Sequence, residues 1–347
     1  MTQDAVLAAL RLVKYPGYSR DIVSFGLVKE IQVDGEAVGV LIELTTPNAP
    51  LGEQIADAAR LTLKEQFPSL KDAHVQVRVP TAQQAAAAAP GVATKSKVPG
   101  LARIVAVASG KGGVGKSTCS VNLACALARL GASVGLLDCD IYGPSIPLMM
   151  GYRDRPLIND EEKLVPPVAH GVKVMSMGLL LQDDQPVIWR GPMIQKTIQQ
   201  FVHQVDWGTL DYLIVDLPPG TGDAQLSLCQ TVPLDGGVII TTPQEASLGV
   251  VRKGIAMFEK VNVPILGIVE NMSYFIAPDG SRIEIFGHGG GCIEAGRREI
   301  PFLGEVPIYT AIREGGDTGV PVVAGDPDGA PAAAFLAVAR QLRARLG

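Results

Sequence analysis

The sequence is poor in the features that mark several large classes of protein. It contains 4 histidines and 5 cysteines, with no Cys-x-x-Cys pair. An odd number of widely spaced cysteines argues against a disulfide framework and is normal in a reducing compartment. No apolar run approaches the ~18 residues of a membrane span, and the first residues lack the basic and apolar regions of a signal peptide. We therefore expect a cytoplasmic protein without a membrane partner.

The charge balance gives no sign of a nucleic-acid partner. Thirty basic residues stand against 35 acidic ones, for a net charge of −5, and no segment forms a basic body that would bind a phosphate backbone. Hydrophobic residues make up 47% of the chain, which excludes disorder and provides a core. The 39 glycines and 25 prolines follow no repeat and therefore indicate many tight loops.

The length of 347 residues favours two domains. Residues 1–80 predict a small α+β domain, since helical and strand patterns alternate and Asp34-Gly35 is a strong hairpin signal. Residues 81–100 lack large apolar side chains other than valine and contain two prolines. This composition predicts a flexible linker, with a short alanine helix over 82–89 as the alternative.

Residues 101–347 predict a doubly wound α/β domain with a mostly parallel sheet. Uninterrupted apolar strand patterns alternate with helical patterns, as a parallel sheet covered on both faces requires. The predicted strands span 104–108, 133–137, 172–176, 212–215, 237–241 and 265–269. The stretches 141–171 and 271–300 are predicted to be loops or small excursions, where function often resides.

A phosphate-binding loop lies directly after the first of these strands. Residues 110–117 match G-x-x-x-x-G-K-[ST] and are followed by a helical pattern. Glycines let successive N–H groups converge on phosphate beside a helix N-terminus. Lys116 is expected to reach the β- and γ-phosphates, and Ser117 to ligate Mg²⁺. The predicted nucleotide-binding residues in this loop are Gly110, Lys111, Gly112, Gly113, Val114, Gly115, Lys116, Ser117 and Thr118.

Carboxylates end two further predicted strands, at the edge where parallel sheets bind ligands. We expect Asp140 to orient or deprotonate the attacking water, while Asp138 holds magnesium-bound waters or the loop. The alternative for Asp140 is a helix cap. Asp216 suits second-shell contact with Mg²⁺, and the Gly220 N–H is expected to sense the γ-phosphate. The order of these motifs predicts an ATP hydrolase.

The phosphate-binding loop also carries a second lysine, Lys111, directly after its first glycine. The pattern Lys-Gly-Gly-x-Gly-Lys-[ST] resembles the deviant Walker A loop of the MinD, ParA and nitrogenase-reductase group. The resemblance implies a homodimer that sandwiches nucleotide, with Lys111 reaching the phosphates of the partner. From the residue alone, a solvated lysine beside the site is the alternative.

Several segments match patterns of a known family, namely 20–23, 44–47, 140–145, 189–193, 216–223, 241–244 and 269–273. On these segments rests a resemblance of residues 101–347 to the Mrp/ApbC family of iron–sulfur cluster carrier ATPases, and of residues 1–80 to the small SufT/PaaD-like domain often fused ahead of it. It implies a slow ATPase that delivers clusters to apoprotein clients, with Asn271 bound to adenine. A plain turn residue is the alternative for Asn271.

These motifs and resemblances together define the predicted site. ATP and Mg²⁺ are the expected cofactors. The predicted catalytic residues are Lys111, Lys116, Asp140 and Asp216, and the predicted metal-binding residues are Ser117 and Asp216.

The sequence departs from the family where cluster ligands are expected. Relatives commonly carry Cys-x-x-Cys shortly after the Asn-Met-Ser segment, whereas residues 274–280 contain no thiol. In the small domain, Ala49 occupies the usual cysteine position. Because thiolates are the standard ligands of such clusters, we expect a cluster to be weakly held or absent. Cys292 and His288 are the remaining candidate ligands, with a free structural thiol favoured for Cys292.

The other four cysteines are predicted to be small buried residues: Cys119, Cys125, Cys139 and Cys229.

Two other functions remain open. One is a positioning switch of the MinD/ParA kind that uses ATP-driven dimerisation to bind membrane or DNA. Use of the membrane would need an amphipathic terminal helix. Apolar residues line one face of the predicted last helix, although packing on the sheet is the favoured explanation. These residues are Phe335, Val338, Leu342 and Leu346. The second is a nucleotide-gated scaffold that has lost its cluster.

Overall fold

The computed structural model describes residues 1–14, 16, 21–24, 26–35, 37–44, 49–79, 97–141, 143–180, 191–220 and 222–347. The chain divides into two compact units, Met1–Thr94 and Lys95–Gly347. Most of the predicted linker over 81–100 lies outside the described residues, as do Arg20 and Trp189 of the family segments.

The first unit is a three-stranded sheet covered by two helices. Its elements are α1 (Gln3–Leu10), β1 (Val28–Asp34), β2 (Ala37–Glu43), α2 (Ala49–Gln66) and β3 (Asp72–Arg78). The strands lie in the order β1-β2-β3, with β1 antiparallel and β3 parallel to β2. Asp34 pairs with Ala37 across the turn, and Gly35 has φ +57°. The hairpin predicted at Asp34-Gly35 is therefore confirmed.

The core of this unit forms because apolar residues alternate along β2 and recur at helical spacing along α2. Val38, Val40 and Ile42 lie on one face of β2, and Ile55 and Leu63 of α2 are buried in the same cluster.

The second unit contains nine further helices and a large sheet among its described residues. Its first half has β4 (Leu101–Ala108), α3 (Lys116–Arg129), β5 (Val134–Asp138), α4 (Ile146–Met149), β6 (Leu157–Ile158), β7 (Leu164–Val165), β8 (Val168–Ala169), β9 (Val172–Ser176) and α5 (Gly191–Gln204). Its second half has β10 (Leu210–Asp216), α6 (Asp223–Thr231), β11 (Gly236–Thr241), α7 (Glu245–Lys260), β12 (Ile265–Ile276), β13 (Arg282–Ile283), α8 (Gly290–Arg297), β14 (Phe302–Ile308), α9 (Thr310–Thr318), α10 (Val322–Gly325) and α11 (Ala330–Leu346).

The large sheet has the order β13-β12-β11-β4-β10-β5-β9-β8, with β14 also paired to β12. All pairings are parallel except those of β13 and β8 at the two edges. Every residue of β5 and β11 is buried, and separate apolar clusters cover the two faces. The predicted doubly wound, mostly parallel fold is confirmed.

Strand β12 is longer than predicted. The expected strand ended at residue 269, but β12 runs to Ile276 and forms a hairpin with β13, and α8 follows within 271–300. The expected end was wrong because Glu270, Asn271 and Ser273 interrupt the apolar pattern. They are nevertheless strand residues, because β14 pairs with this part of β12.

The last helix, α11, packs into the core of its own unit. Phe335, Val338 and Leu342 are almost fully buried in the cluster that also contains α3 residues. This confirms the expectation that packing explains the apolar face. Within the part of the chain that the structure describes, none of the helices combines the length and apolarity needed to cross a bilayer.

Candidate nucleotide site

The phosphate-binding loop connects β4 to α3 at the carboxyl edge of the sheet. Gly113 and Gly115 have φ of +82° and +77°, the region where glycine is the least strained residue. A side chain at Gly115 would also collide with the Asn271 amide. The loop therefore needs glycine at this position for its backbone angle and for its neighbour.

A buried polar network lies beneath the loop and is centred on Asp216. The Lys116 ammonium lies 2.6 Å from Asp216 Oδ2, with side-chain exposures of 6% and 0%. Ser117 Oγ donates to the same oxygen at 2.7 Å, and Ser120 Oγ donates to Oδ1 at 2.5 Å. Lys116 thus neutralises a carboxylate that would otherwise be costly to bury.

Asp138 lies beside Asp216, because the two end neighbouring strands in register. Asp138 Oδ2 accepts from Ser176 Oγ at 3.0 Å, and Oδ1 accepts from the Asp140 N–H at 3.0 Å. Burial, and secondarily the charge of Asp216, raise the pKa of Asp138 to about 7. Two roles were expected for Asp138, to hold magnesium-bound waters or to hold the loop. Its hydrogen bond with the Asp140 N–H is a contact of the second kind.

Asp140 and Lys111 lie at the rim of a cavity of about 230 Å³ that the phosphate-binding loop lines. Asp140 Oδ1 accepts from the Gly143 N–H at 3.1 Å, which is a turn contact rather than a cap of α4. Lys111 is exposed. Both side chains thus lie beside the phosphate-binding loop. Among the described residues, no hydrogen bond or ion pair joins the Lys111 side chain to Asp216 or Asp138.

The segment after Asp216 forms a turn that is held at two points. The Gly220 N–H donates to the Ser109 carbonyl at 3.2 Å, and Gln225 Nε2 donates to the Pro218 carbonyl. Pro219 lines the small cavity. The Gly220 N–H would therefore have to leave Ser109 in order to meet a phosphate.

A second, largely apolar cavity of about 530 Å³ adjoins the first. The two share Gly115, Thr118 and Met149 in their walls. Asn271 also lines the larger cavity, and its Nδ2 donates to the Val114 carbonyl at 2.8 Å. A space lined by the phosphate-binding loop that adjoins an apolar space with one amide has the layout that a nucleotide requires.

The oxygen-rich group at Ser117 and Asp216 fits a hard cation such as Mg²⁺. By contrast, no group of three or more His, Cys, Asp or Glu side chains is placed to hold a metal ion within the described ranges.

Four of the five cysteines are buried, as expected, and only Cys292 is exposed. Burial raises the pKa of Cys119 and of Cys125 to about 12, and raises that of Cys139 well above its ordinary value. These thiols therefore stay protonated at neutral pH and are poor metal ligands.

The segment without cysteines, 274–280, comprises the end of β12 and the tight turn that leads to β13. The Ala277 N–H donates to the Ser281 carbonyl at 2.9 Å, and Asp279 Oδ1 accepts from both the N–H and the Oγ of Ser281. These bonds lower the pKa of Asp279, so its carboxylate is engaged within the turn.

The His288 ring is engaged on the same hairpin. Its Nδ1 lies 3.0 Å from Glu284 Oε1 and 3.1 Å from an Arg282 nitrogen.

The sequence analysis missed several buried polar residues of this region, among them Ser120, Ser176, Gln225 and Glu270. Ser120 stands four residues after Lys116, so the helical period was an available signal for it. Ser176 ends a strand at the ligand edge, where Asp138 and Asp216 end theirs. For Gln225, which donates to the Pro218 carbonyl, and for Glu270, which accepts from Ser273 and Gly291, the sequence contains no comparable signal.

Comparison with known proteins agrees with this architecture. The family described as NUBPL iron-transfer P-loop NTPase matches residues 100–343, and the family described as iron-sulfur cluster assembly protein matches residues 3–77. An iron-sulfur cluster carrier protein of Synechocystis is 46% identical, covering 100% of this chain and 98% of that protein. The mouse iron-sulfur cluster transfer protein NUBPL is 47% identical over 74% of this chain and 81% of its own length.

Solved structures show the same fold. A nucleotide-binding protein of Archaeoglobus fulgidus in complex with ADP is 43% identical, with a TM-score of 0.57, and covers 63% of this chain and 87% of that one. The cell division ATPase MinD of Pyrococcus furiosus has a TM-score of 0.54 at 23% identity, covering 70% of this chain and 99% of its own, a likeness of fold alone. The matching family model and the Synechocystis relative, which is similar over the full length of the chain, place the chain in the family of iron–sulfur carrier P-loop NTPases.

Proposed function

We propose that the chain binds Mg-ATP with its phosphates in the small cavity and its adenine in the apolar one. The observation that supports this most directly is the wall that the two cavities share. Asn271 lines the apolar cavity and donates to the carbonyl of Val114. With Nδ2 engaged, Asn271 Oδ1 is the atom left to accept from the amino group of adenine.

In this proposal Lys116 exchanges Asp216 for the β- and γ-phosphate oxygens. Ser117 and Asp216 hold Mg²⁺, which supplies neutralisation of the phosphate charge. The backbone N–H groups of residues 110–118 converge on the phosphates, and the positive end of α3 adds to them.

Hydrolysis follows as in-line attack of water on the γ-phosphorus. The bond to the β,γ-bridging oxygen breaks, and ADP and inorganic phosphate leave. Asp140 orients the water or takes its proton, while Gly220 gives up Ser109 to donate to the γ-phosphate. Lys111 of a partner subunit adds charge from the open side. Turnover is expected to be low, because Gly220 starts from a competing hydrogen bond and Lys111 acts only in the dimer.

Calorimetric titration with Mg-ATP and Mg-GTP tests the nucleotide assignment. We expect ATP to bind at least about tenfold more tightly than GTP, because guanine presents a carbonyl to Asn271 Oδ1 and leaves an acceptor unpaired. In Asn271→Ala this preference should fall. Equal affinity for both nucleotides in the native chain would contradict the placement of the base.

We also propose that the homodimer carries an iron–sulfur cluster as cargo to apoprotein clients in the cytoplasm. The names of the relatives support this role, since they are described as cluster carrier or transfer proteins. Residues 1–80 would act as a separate small domain, joined by the 81–100 linker to the ATPase domain of 101–347.

A nucleotide-gated scaffold without cargo is the second candidate. It is favoured by the four buried thiols and by the self-contained turn at Asp279. Anaerobic reconstitution with iron and sulfide assays, on the native chain and on Cys292→Ser, distinguishes the two. We expect a weakly held cluster that is lost in Cys292→Ser. No cluster in either protein would favour the scaffold, and a stable cluster in the variant would contradict a role for Cys292.

A further inference from the structure

Strand β12 is apolar up to Val269 and then carries buried polar residues where it borders the proposed nucleotide site. Glu270 is fully buried, and its two carboxylate oxygens have different partners. Oε1 accepts from Ser273 Oγ at 2.6 Å, and Oε2 accepts from the Gly291 N–H at 2.6 Å. One side chain therefore joins an irregular part of β12 to the first turn of α8.

The irregular part of β12 is strained. Met272 has φ +54°, which is costly for a residue with a side chain, and the pairing with β14 shifts register between Asn271 and Phe275. The Ser273–Glu270 hydrogen bond spans this bulge. Such strained backbone persists only where its surroundings fix it, and Glu270 provides that support from within the core.

The same bulge forms a wall of the proposed base site. Asn271 and Met272 line the apolar cavity, and so do Ile285 and Phe286, which lie in the connection from β13 to α8. A base in this cavity would contact the bulge and the connection at the same time. The base would therefore contact the residues just before Ser273 and the connection that leads to Gly291, the two hydrogen-bond partners of Glu270.

We propose that Glu270 is a positioning residue that couples occupancy of the nucleotide site to the position of α8, the helix that carries Cys292. The proposal rests on the nucleotide binding proposed above. A ligand shifts such an equilibrium only through contacts that differ between the two states. Here those contacts are with the bulge and with Ile285 and Phe286, and Glu270 transmits them because it holds the bulge with one oxygen and α8 with the other.

Cys292 provides a built-in reporter of this coupling. It is the second residue after Gly290, at which α8 begins, and it is exposed while the other four cysteines are buried. Alkylation of the native protein by N-ethylmaleimide, followed by mass spectrometry, therefore reports on the start of α8.

The experiment compares Cys292 alkylation rates with and without saturating Mg-ADP. This ligand fills the base site without a γ-phosphate, and light scattering at the working concentration checks that the mass does not change. We expect Mg-ADP to slow alkylation by about fivefold, the lower end of typical coupling between sites. In Glu270→Gln the ratio of the two rates should fall close to one at saturation, with binding verified by calorimetry.

Two further variants complete the test. Ser273→Ala leaves the carboxylate in place but cuts its link to the bulge, so it should also lower the ratio, and it decides the question if Glu270→Gln does not fold. Glu294→Gln is the matched control. Glu294 is a buried acid of α8, and its carboxylate pairs with Arg298 at the end of α8 itself rather than with the bulge of β12. Its ratio should equal that of the native chain.

An unchanged ratio in both Glu270→Gln and Ser273→Ala would overturn the proposal, and so would an equal loss in Glu294→Gln. Failure of the native chain to bind Mg-ADP would overturn the nucleotide assignment together with the coupling. Binding without any change in the alkylation rate would overturn the coupling alone.

Discussion

The nucleotide site and the hairpin formed by β12 and β13 differ in how much of their chemistry a single chain provides. At the nucleotide site, Lys116, Ser117 and Ser120 converge on one buried carboxylate. At the hairpin and in the connection to α8, Asp279 and His288 are engaged by their own neighbours, and Cys292, near the start of α8, is the exposed thiol. The polar groups proposed to bind phosphate therefore converge within one chain, whereas a cluster would need ligands from a second copy or a client.

The largest expected effect tests the self-sufficiency of the nucleotide site. Lys116→Ala should weaken Mg-ATP binding by at least about a hundredfold, because it removes the charged donor fixed inside the phosphate-binding loop. It should also lower the free energy of unfolding without nucleotide, since Asp216 loses its buried partner. Calorimetry and chemical denaturation measure the two effects.

Lys111→Ala is the matched control in the same loop. Lys111 is exposed, so its removal should leave ATP binding to the isolated subunit and the stability nearly unchanged. Equal losses for the two lysines would contradict the distinction between a buried and a solvent-facing cation.

Asp140 allows the catalytic and the turn-forming roles to be separated. Asp140→Ala should retain ATP binding and lower hydrolysis by at least ~10²-fold, the scale of a lost base or water-orienting group. Asp140→Asn keeps an acceptor for the Gly143 N–H but not the carboxylate. If phosphate-release assays show native turnover in the asparagine variant, the contribution of Asp140 is limited to the turn.

Dimerisation is where the nucleotide site ceases to be self-sufficient. We expect ATP to promote a dimer, and Lys111→Ala to weaken it by about tenfold, in line with the loss of one charge-assisted hydrogen bond. Light scattering with ATP on the poorly hydrolysing Asp140→Ala chain measures this. A monomer at all concentrations would count against a nucleotide-sandwiched dimer.

The smallest effect concerns the pH dependence of stability. The pKa of Asp138 is about 7, above the ordinary value of 3.8, so the folded chain holds its proton where the unfolded chain has lost it. The free energy of unfolding should therefore fall as the pH rises from about 4 to about 7. Asp138→Asn should reduce this fall by up to about 4 kcal/mol, because each pKa unit between 3.8 and about 7 corresponds to about 1.4 kcal/mol.

Urea denaturation in magnesium-free buffer at several pH values measures the slope. Asp328→Asn is a suitable control, because Asp328 is 92% exposed, and it should not change the slope. An equal slope in the Asp138→Asn chain would show that other groups cause the dependence.

The parts of this molecule that could be predicted are those fixed by local spacing. The glycines and lysines of residues 110–117 lie within one loop, so their pattern alone defines the site. Asp138 and Asp216 were placed at one edge because all strands of a parallel sheet present their carboxyl ends there, and the register of β5 and β10 brings them together.

Contacts between distant segments could not be predicted in this way. Asn271 and Val114 are 157 residues apart, and Glu270 and Gly291 meet only because α8 folds back on β12. The polar residues of β12 interrupt the apolar pattern by which a strand is predicted. They continue the strand because they pair with β14, a contact that hydropathy does not report.

The ion pair between Lys116 and Asp216 has a consequence for ligand discrimination. Because the Lys116 ammonium is already paired with Asp216, we expect the loop without nucleotide to bind small anions weakly. Inorganic phosphate or sulfate would have to displace a carboxylate that is held at close range, and would gain few other contacts in return. A nucleotide brings a base and several phosphates to the same exchange, so its additional contacts offset the lost ion pair. On the proposed nucleotide binding, the Lys116–Asp216 ion pair would therefore favour large polyanionic ligands over simple anions.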